Sequence, residues 1–170
     1  AGDWLIAVQD EDGAWRRHQF GGPPKSYDAR VGWVLIQAGR RLDRVRWVTA
    51  GQRALAWTVA LQQTDGWFPN CRLEPHEPAL SHTVAYAVEG LLEGGLLLAE
   101  ETFVHAARLG ADALLARQDR SGHLSGELAE GWRPLTRAAC LTGDAQMALC
   151  WLRLHQITAE EKYLEAGRRA

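Results

Sequence analysis

The chain has 170 residues, of which 46% are hydrophobic and 24% charged, and its formal net charge at pH 7 is −2. This composition is typical of a folded globular protein and excludes a disordered or low-complexity chain. No apolar run reaches the roughly 20 residues that a membrane-spanning helix requires, and no signal peptide is recognisable. The 19 basic residues are scattered among acidic ones, so we expect no nucleic-acid partner.

The first predicted element is an apolar helix that ends in the sequence WLIAVQDEDGAW, residues 4–15. A polar loop at 10–25 leads into a helix at 26–39, for which Ser26 is the expected N-terminal cap. The next helix begins near Trp47 and ends in WTVALQQTDGWF, residues 57–68. A loop at 64–80 then precedes a helix at 81–100, with Ser81 as its cap. This helix is apolar nearly all round, which indicates a helix enclosed on most sides.

The third part of the chain has the same order. A helix near Phe103 ends in ALLARQDRSGHL, residues 113–124, and a loop at 119–142 follows. The next helix covers 143–158, with Thr142 or Asp144 as its cap, and a last helix begins near Thr158. No segment shows the alternation of Val and Ile that predicts a sheet. The sequence therefore predicts an all-α protein.

Two phased sets of residues indicate an internal repeat. The three motifs share a glutamine followed four residues later by a glycine: Gln9/Gly13, Gln62/Gly66 and Gln118/Gly122. Aromatic residues recur at spacings of 56 and 60 residues, each followed three residues later by alanine: Trp47, Phe103 and Tyr163. We predict one domain, 1–170, with repeats at 1–46, 47–102 and 103–162 and the start of a further repeat at 163–170. Because the glutamine motif recurs in each repeat, its role is interpreted as structural.

Alternating inner and outer helices of this length resemble the α/α toroids, an architecture of the terpenoid cyclase/protein prenyltransferase and six-hairpin glycosidase-like superfamilies. The most specific element is the QW motif of terpenoid cyclases, Gln-x-x-x-Gly-x-Trp. Residues 4–15 match it fully, whereas Phe68 and Leu124 stand at the Trp position of the later copies. Three hairpins do not close such a ring, so the resemblance implies a partial toroid. In a partial toroid the apolar flanks at 4–8 and 163–170 lack neighbours. We therefore expect copies of the chain to associate with one another.

In toroids of this kind, the resemblance places the ligand pocket at the N-terminal ends of the inner helices and on the loops that enter them. The candidates for general acid/base catalysis are Asp28, His82, Glu77 and Asp144. The candidates for substrate binding are Trp15, Tyr27, Arg30, Trp67, His76, Tyr86, Trp132, Arg133 and Gln146. The catalytic candidates have structural alternatives: the aspartates as helix caps, His82 as a buried core residue and Glu77 as a solvated loop residue. The tryptophans on the helices are expected in the core: Trp33, Trp47, Trp57 and Trp151.

The charged residues expected in the pocket favour an enzyme that acts on a carbohydrate or uronate polymer, as a hydrolase, lyase, epimerase or accessory enzyme of polysaccharide biosynthesis. The D-x-D-D signature of terpenoid cyclases and the zinc set of prenyltransferases are not recognisable, which makes terpenoid chemistry the second hypothesis. A non-catalytic helical repeat scaffold is the third. His76 and His82 lack a third ligand, so we predict no metal, and no cofactor is expected. The three cysteines form no paired motif, which favours reduced thiols and a cytoplasmic location.

Overall fold

The computed structural model describes all 170 residues and contains seven α-helices joined by loops. The helices are α1 Gly2–Val8, α2 Ala29–Arg41, α3 Val45–Leu61, α4 Ser81–Leu98, α5 Glu101–Leu115, α6 Leu141–Thr158 and α7 Glu161–Arg169. Single turns of 3₁₀-helix lie at Ser26–Asp28 and Glu130–Trp132. The chain is mostly helical, as predicted. No helix combines the length and the apolar composition that crossing a bilayer requires.

The helices pack in two layers. Helices α2, α4 and α6 lie side by side, and we call them the inner helices. The outer helix α3 packs on α2, α5 packs on α4, and α7 packs on α6. Helix α4 is in the middle of the row and is buried along most of its length, as its nearly uniform apolar sequence predicts.

Each inner helix ends in the same kind of tight turn. A residue with a left-handed backbone follows each helix within two positions: Asp43, Ala99 and Ala159, with φ values of 53°, 54° and 57°. At the first two turns the next amide donates back to the helix, from Arg44 to the Gly39 carbonyl and from Glu100 to the Gly95 carbonyl. These bonds satisfy carbonyls that the helix end leaves free, so the chain turns directly into the next outer helix.

The three motif glutamines make equivalent hydrogen bonds, which we call the glutamine joints. Each side-chain amide donates to the carbonyl of the glycine four residues later and to an alanine carbonyl on the next outer helix. The alanine acceptors and their distances are Ala50 at 2.9 Å from Gln9, Ala106 at 2.9 Å from Gln62 and Ala166 at 3.1 Å from Gln118. The glycine acceptors are Gly13, Gly66 and Gly122, at 2.9, 3.1 and 3.2 Å. The joints therefore fasten each helix end to the following outer helix.

The glycine of the second joint is required for two separate reasons. Gly66 has a φ of +85°, and a Cβ placed on it would lie 2.8 Å from the Leu109 carbonyl oxygen. Gly131 has a φ of +70°, but no atom lies within 4 Å of its Cβ position. We expect Gly66→Ala to lower the free energy of unfolding by about 2 kcal/mol and Gly131→Ala by only about 1 kcal/mol, the cost of left-handed backbone alone. Urea unfolding of both variants measures the difference, and equal losses would contradict the role of the joint.

A small antiparallel sheet joins the loops before α4 and α6, and the sequence analysis did not predict it. Its strands are β1 Ala79–Leu80, β2 Glu127–Ala129 and β3 Arg133–Pro134, in the order β1-β2-β3. Ala79 pairs with Leu128, and Ala129 pairs with Arg133. Strands of two or three residues are too short to produce a visible alternation of apolar and polar side chains. The sheet therefore depends on contacts between distant loops.

The predicted helix caps are wrong. Ser26 is buried and donates its hydroxyl to the Pro69 carbonyl, and the buried Ser81 hydroxyl has no hydrogen-bond partner. The residues at the N-caps of α2, α4 and α6 are Asp28, Leu80 and Cys140, and none of them makes a side-chain cap hydrogen bond. Helix α6 begins at Leu141, so Thr142 and Asp144 both lie inside its first turn. Packing between loops, and not the first helical turn, decides where the serine hydroxyls are directed.

One of the two predicted open flanks is also wrong. Tyr163 and Ala166 are fully buried in the main hydrophobic core. The Tyr163 hydroxyl donates to the Asp112 carboxylate on α5 at 2.8 Å. At the other end of the chain Trp4 is 53% exposed, whereas Val8 is buried, so the flank at 4–8 is only partly open.

Candidate functional site

Side chains from the N-terminal ends of the inner helices come together at one end of the molecule. We call this group the polar cluster; its members are Tyr27, Asp28, Arg30, His82, Tyr86 and Gln146. Four of them line one cavity: Tyr27, Asp28, Arg30 and Tyr86. His82 contacts Tyr86 on its own helix and Gln146 on α6. All six were singled out from the sequence, because they precede or occupy the first turns of the inner helices.

Arg30 connects α2 to α4. Its guanidinium lies 4.1 Å from the centre of the Tyr86 ring, a cation–π contact. Its Nη1 also lies 3.0 Å from Glu89 Oε2, although neither atom makes a well-aligned hydrogen bond. Burial raises the pKa of Glu89, and the charge of Arg30 opposes that rise. The Arg30 side chain is about one-third exposed, so its positive charge lies at the edge of the cavity. Its N–H groups remain available to donate further hydrogen bonds.

His82 connects α4 to α6. Its Nδ1 lies 2.8 Å from Gln146 Oε1, and its ring centre lies 4.3 Å from that of Tyr86. With the Gln146 oxygen accepting, Nδ1 carries the hydrogen, so Nε2 has a free lone pair. A neutral imidazole in this tautomer can accept a proton at Nε2.

Asp28 is the carboxyl group of the cavity. Its Oδ2 accepts a hydrogen bond of 2.6 Å from the Gln19 amide. Burial raises the pKa of Asp28 to about 6, and the Gln19 hydrogen bond and the nearby charge of Lys25 oppose the rise. Burial together with the Asp28 charge also raises the pKa of Tyr27 to about 12. A carboxylic acid that keeps its proton up to about pH 6 can act as a general acid near neutrality.

A buried lysine holds the loops behind Asp28. The Lys25 ammonium donates to the Gly21 carbonyl at 2.5 Å, the Arg72 carbonyl at 3.0 Å and the Leu73 carbonyl at 2.9 Å. These bonds tie the first entering loop to the second. Neither Lys25 nor Gln19 was expected at the site from the sequence. The available signal was composition, because Lys25 is one of only two lysines and stands directly before the first inner helix.

The cavity beside the polar cluster has a volume of about 580 Å³ and lies between α1, α2 and α3. Nine of its 12 lining residues are hydrophobic, including Leu5, Val31, Val34 and Trp47. Asp28 and Arg30 are the charged side chains of the lining. The expectation of a largely charged pocket is therefore wrong for this cavity. It has one polar end and a longer apolar groove.

Three further candidates lie away from this cavity. His76 and Glu77 are exposed on the loop before α4, and their side chains make no hydrogen bond or ion pair. Arg133 is exposed on β3. None of the three lines the cavity.

Asp144 is the fourth catalytic candidate, and it also lies away from the cavity. It is 8% exposed, and its Oδ1 has no hydrogen-bond partner. Burial raises its pKa, and the nearby His123 opposes the rise. Of the four catalytic candidates, Asp28 lines the cavity. His82 does not line it but contacts Tyr86, which does.

The three tryptophans expected to bind substrate are core residues. Trp15, Trp67 and Trp132 are 5%, 3% and 1% exposed. The Trp15 indole donates to the Leu5 carbonyl, and the Trp132 indole donates to the Asp65 carbonyl. Trp67 and Trp132 pack edge to face, with ring centres 5.1 Å apart. Buried indoles have no free ring face to offer a ligand.

The chain also offers no cluster of three or more His, Cys, Asp or Glu side chains that could hold a metal ion. Its cysteines Cys71, Cys140 and Cys150 are unpaired, and burial raises the pKa of the Cys71 and Cys150 thiols. No protein-family model matches the chain, and no curated protein matches its sequence. The chemistry of the polar cluster is therefore the basis for assigning a function.

Proposed function

We propose that this chain is part of an α/α-toroid enzyme that acts on a carbohydrate or uronate polymer by general acid/base chemistry. The reaction is of the hydrolase, lyase or epimerase type, or belongs to polysaccharide biosynthesis. The observation that carries the proposal is the polar cluster, which combines a carboxylic acid, a histidine and an arginine beside a cavity. The two helical layers and the three glutamine joints support the toroid. The unpaired cysteines support a cytoplasmic location.

Each polar group has a role in such a reaction. The Arg30 guanidinium binds the carboxylate of a uronate and withdraws its charge, which acidifies the ring proton next to that carboxylate. His82 Nε2 accepts this proton. In an elimination, the bond from the ring to the departing sugar oxygen then breaks, and the carboxylic acid of Asp28 protonates that oxygen. In a hydrolysis, the same acid protonates the glycosidic oxygen before water attacks.

The proposal is tested with defined polymers. Polygalacturonate, alginate and hyaluronan are incubated with the chain, and neutral xylan and cellulose oligosaccharides serve as comparisons. Ultraviolet absorbance of unsaturated products reports elimination, and new reducing ends report hydrolysis. We expect turnover of an acidic polymer, and a loss of kcat of about 100-fold or more in His82→Ala. His76→Ala is the matched control and should keep full activity, because His76 is exposed in the loop. If no polymer is turned over, or if both histidine variants lose activity equally, the proposal is wrong.

The apolar lining of the cavity favours a second candidate, a terpenoid cyclase-like reaction. Tyr27 and Trp47 can stabilise a carbocation with their ring faces. Asp28, as a protonated carboxylic acid, can deliver the proton that starts cyclisation. Incubation with linear polyprenyl substrates, followed by gas chromatography of the products, distinguishes this reaction from carbohydrate chemistry.

A further inference from the structure

The apolar part of the cavity includes a face of α2 that borders α1 and Trp47 but is not covered by an inner helix. The turns at Asp43, Ala99 and Ala159 align the inner helices at spacings of 56 and 60 residues. In this alignment three apolar positions of α2 correspond to three on α4 and three on α6: Val31, Val34, Ala38; Ala87, Gly90, Gly94; and Met147, Cys150, Leu154. The sets on α4 and α6 are buried. The set on α2, which we call the α2 face, lines the cavity, and Val34 is 49% exposed.

On α4, the corresponding residues are covered by α2 together with Leu55 of α3. A Cβ placed on Gly90 would contact the Ala29 carbonyl carbon, and one on Gly94 would contact Leu55 and lie 3.5 Å from Ile36. Helix α2 therefore uses Ala29 and Ile36 to cover its neighbour. On α6 the same position holds the larger Cys150, 2% exposed, so this type of contact also accommodates side chains larger than glycine.

Helix α6 carries a partly exposed copy of the covering surface, in which Leu152 also packs against Gly167 of α7. Ala145 and Leu152 correspond to Ala29 and Ile36, and we call them, with Leu149, the α6 face. Ala145 is exposed, Leu152 is half-buried and Leu149 is 62% exposed. Neighbouring inner helices make this contact twice within the chain, between α2 and α4 and between α4 and α6. The α2 face and the α6 face are the two sides of the same contact that no inner helix covers. Large exposed apolar side chains of this kind mark association surfaces.

We propose that the α6 face of one copy of this chain covers the α2 face of a second copy, with Ala145 against Val34 and Leu152 against Ala38. The contact is head-to-tail, so successive copies close into a ring or extend as a filament. Arg30 and Tyr86 occupy corresponding positions of neighbouring inner helices and stack on one another. By the same correspondence, Gln146 of one copy lies beside Arg30 of the other, and the polar cluster is completed at the interface. The contact does not depend on the catalytic proposal, because no reacting group is needed to form it.

Cysteine cross-linking tests the pairing of the two faces. In the full chain with Cys140→Ser, the double variant Val34→Cys/Ala145→Cys should form covalent dimers and larger species under oxidation. The control Val45→Cys/Ala145→Cys, with Val45 71% exposed on the outer helix α3, should remain monomeric. Cross-linking of Val34→Cys alone would overturn the proposal, since it would show a symmetric contact between two α2 helices.

Sedimentation of the chain without introduced cysteines is the second measurement. We expect association that depends on concentration, and Val34→Asp should shift the equilibrium toward monomer by at least tenfold in Kd. Val45→Asp is the matched control and should leave Kd unchanged. Both valines are exposed, so neither variant should impair folding. A wild-type chain that stays monomeric overturns the proposal and indicates a different helix as the occupant of the α2 face. Loss of association with polymer turnover retained would separate this contact from the proposed function.

Discussion

Asp28→Asn is expected to stabilise the folded chain and, at the same time, to abolish the proposed reaction. Burial raises the pKa of Asp28 from 3.8 to about 6. The folded state therefore binds the proton more tightly than the unfolded state, and ionising Asp28 opposes folding. Stability should fall as the pH rises from about 4 to about 6, by an amount on the order of 2 kcal/mol, and stay level above that range. Asparagine is neutral at every pH and can still accept the Gln19 hydrogen bond.

Urea unfolding between pH 4 and pH 8 measures this effect. The variant should be about 1–3 kcal/mol more stable than wild type at pH 7. Its loss of stability between pH 4 and 6 should be smaller than that of wild type, and the part that remains comes from other buried carboxyls such as Glu89 and Asp144. Asp12→Asn is the control: the exposed Asp12 carboxylate pairs with Arg16, which lowers its pKa to about 2. That variant should retain the loss between pH 4 and 6. An Asp28→Asn chain that is less stable at pH 7 would show that the carboxylate itself supports the fold. Polymer turnover by Asp28→Asn should drop by about 100-fold or more.

Gln62→Ala is expected to destabilise the chain by about 3 kcal/mol, because two carbonyl oxygens lose their donor at once. The Gln62 amide bonds the Gly66 carbonyl at 3.1 Å and the Ala106 carbonyl at 2.9 Å, and so joins the end of α3 to α5. Ala106 is 3% exposed, so water does not readily replace the lost donor.

The neighbouring glutamine is the matched control for this joint. Gln63 donates to the Glu130 carboxylate at 2.6 Å, but this bond is exposed to solvent. Gln63→Ala should cost less than about 0.5 kcal/mol by the same unfolding measurement. Similar losses in the two variants would mean that the joint contributes no more than a surface contact.

The helices could be predicted from the sequence because their signals are local. The apolar stretches before Gln62 and Gln118, with a glycine four residues later, indicated helix ends that the structure has at Leu61 and Leu115. The apolar sequence of α4 indicated a helix enclosed on most sides, which it is. The caps could not be predicted in the same way, since Ser26 and Ser81 are buried where two loops pack together. A residue preference for a cap describes only the first helical turn.

The same difference between local signals and long-range contacts applies to the candidate site. The sequence marked Asp28, Arg30, His82, Tyr86 and Gln146 through their position at the starts of inner helices. It could not separate these residues from Asp144, Glu77 and Arg133, which occupy similar positions along the chain. Only the packing of the inner helices brings Arg30 onto Tyr86 and His82 onto Gln146. The repeat marks Arg30 and Tyr86 as corresponding positions, but a single sequence does not show that their side chains touch.

The helical class, the order of the helices along the chain and the glutamine motif at the helix ends could all be predicted from the sequence. These properties follow from apolar periodicity and from backbone geometry within a few residues. Three other properties became visible in the folded chain: Trp15, Trp67 and Trp132 are core, Lys25 ties two loops together, and Val34 is exposed. Burial is a property of neighbours, and those neighbours come from distant parts of the chain.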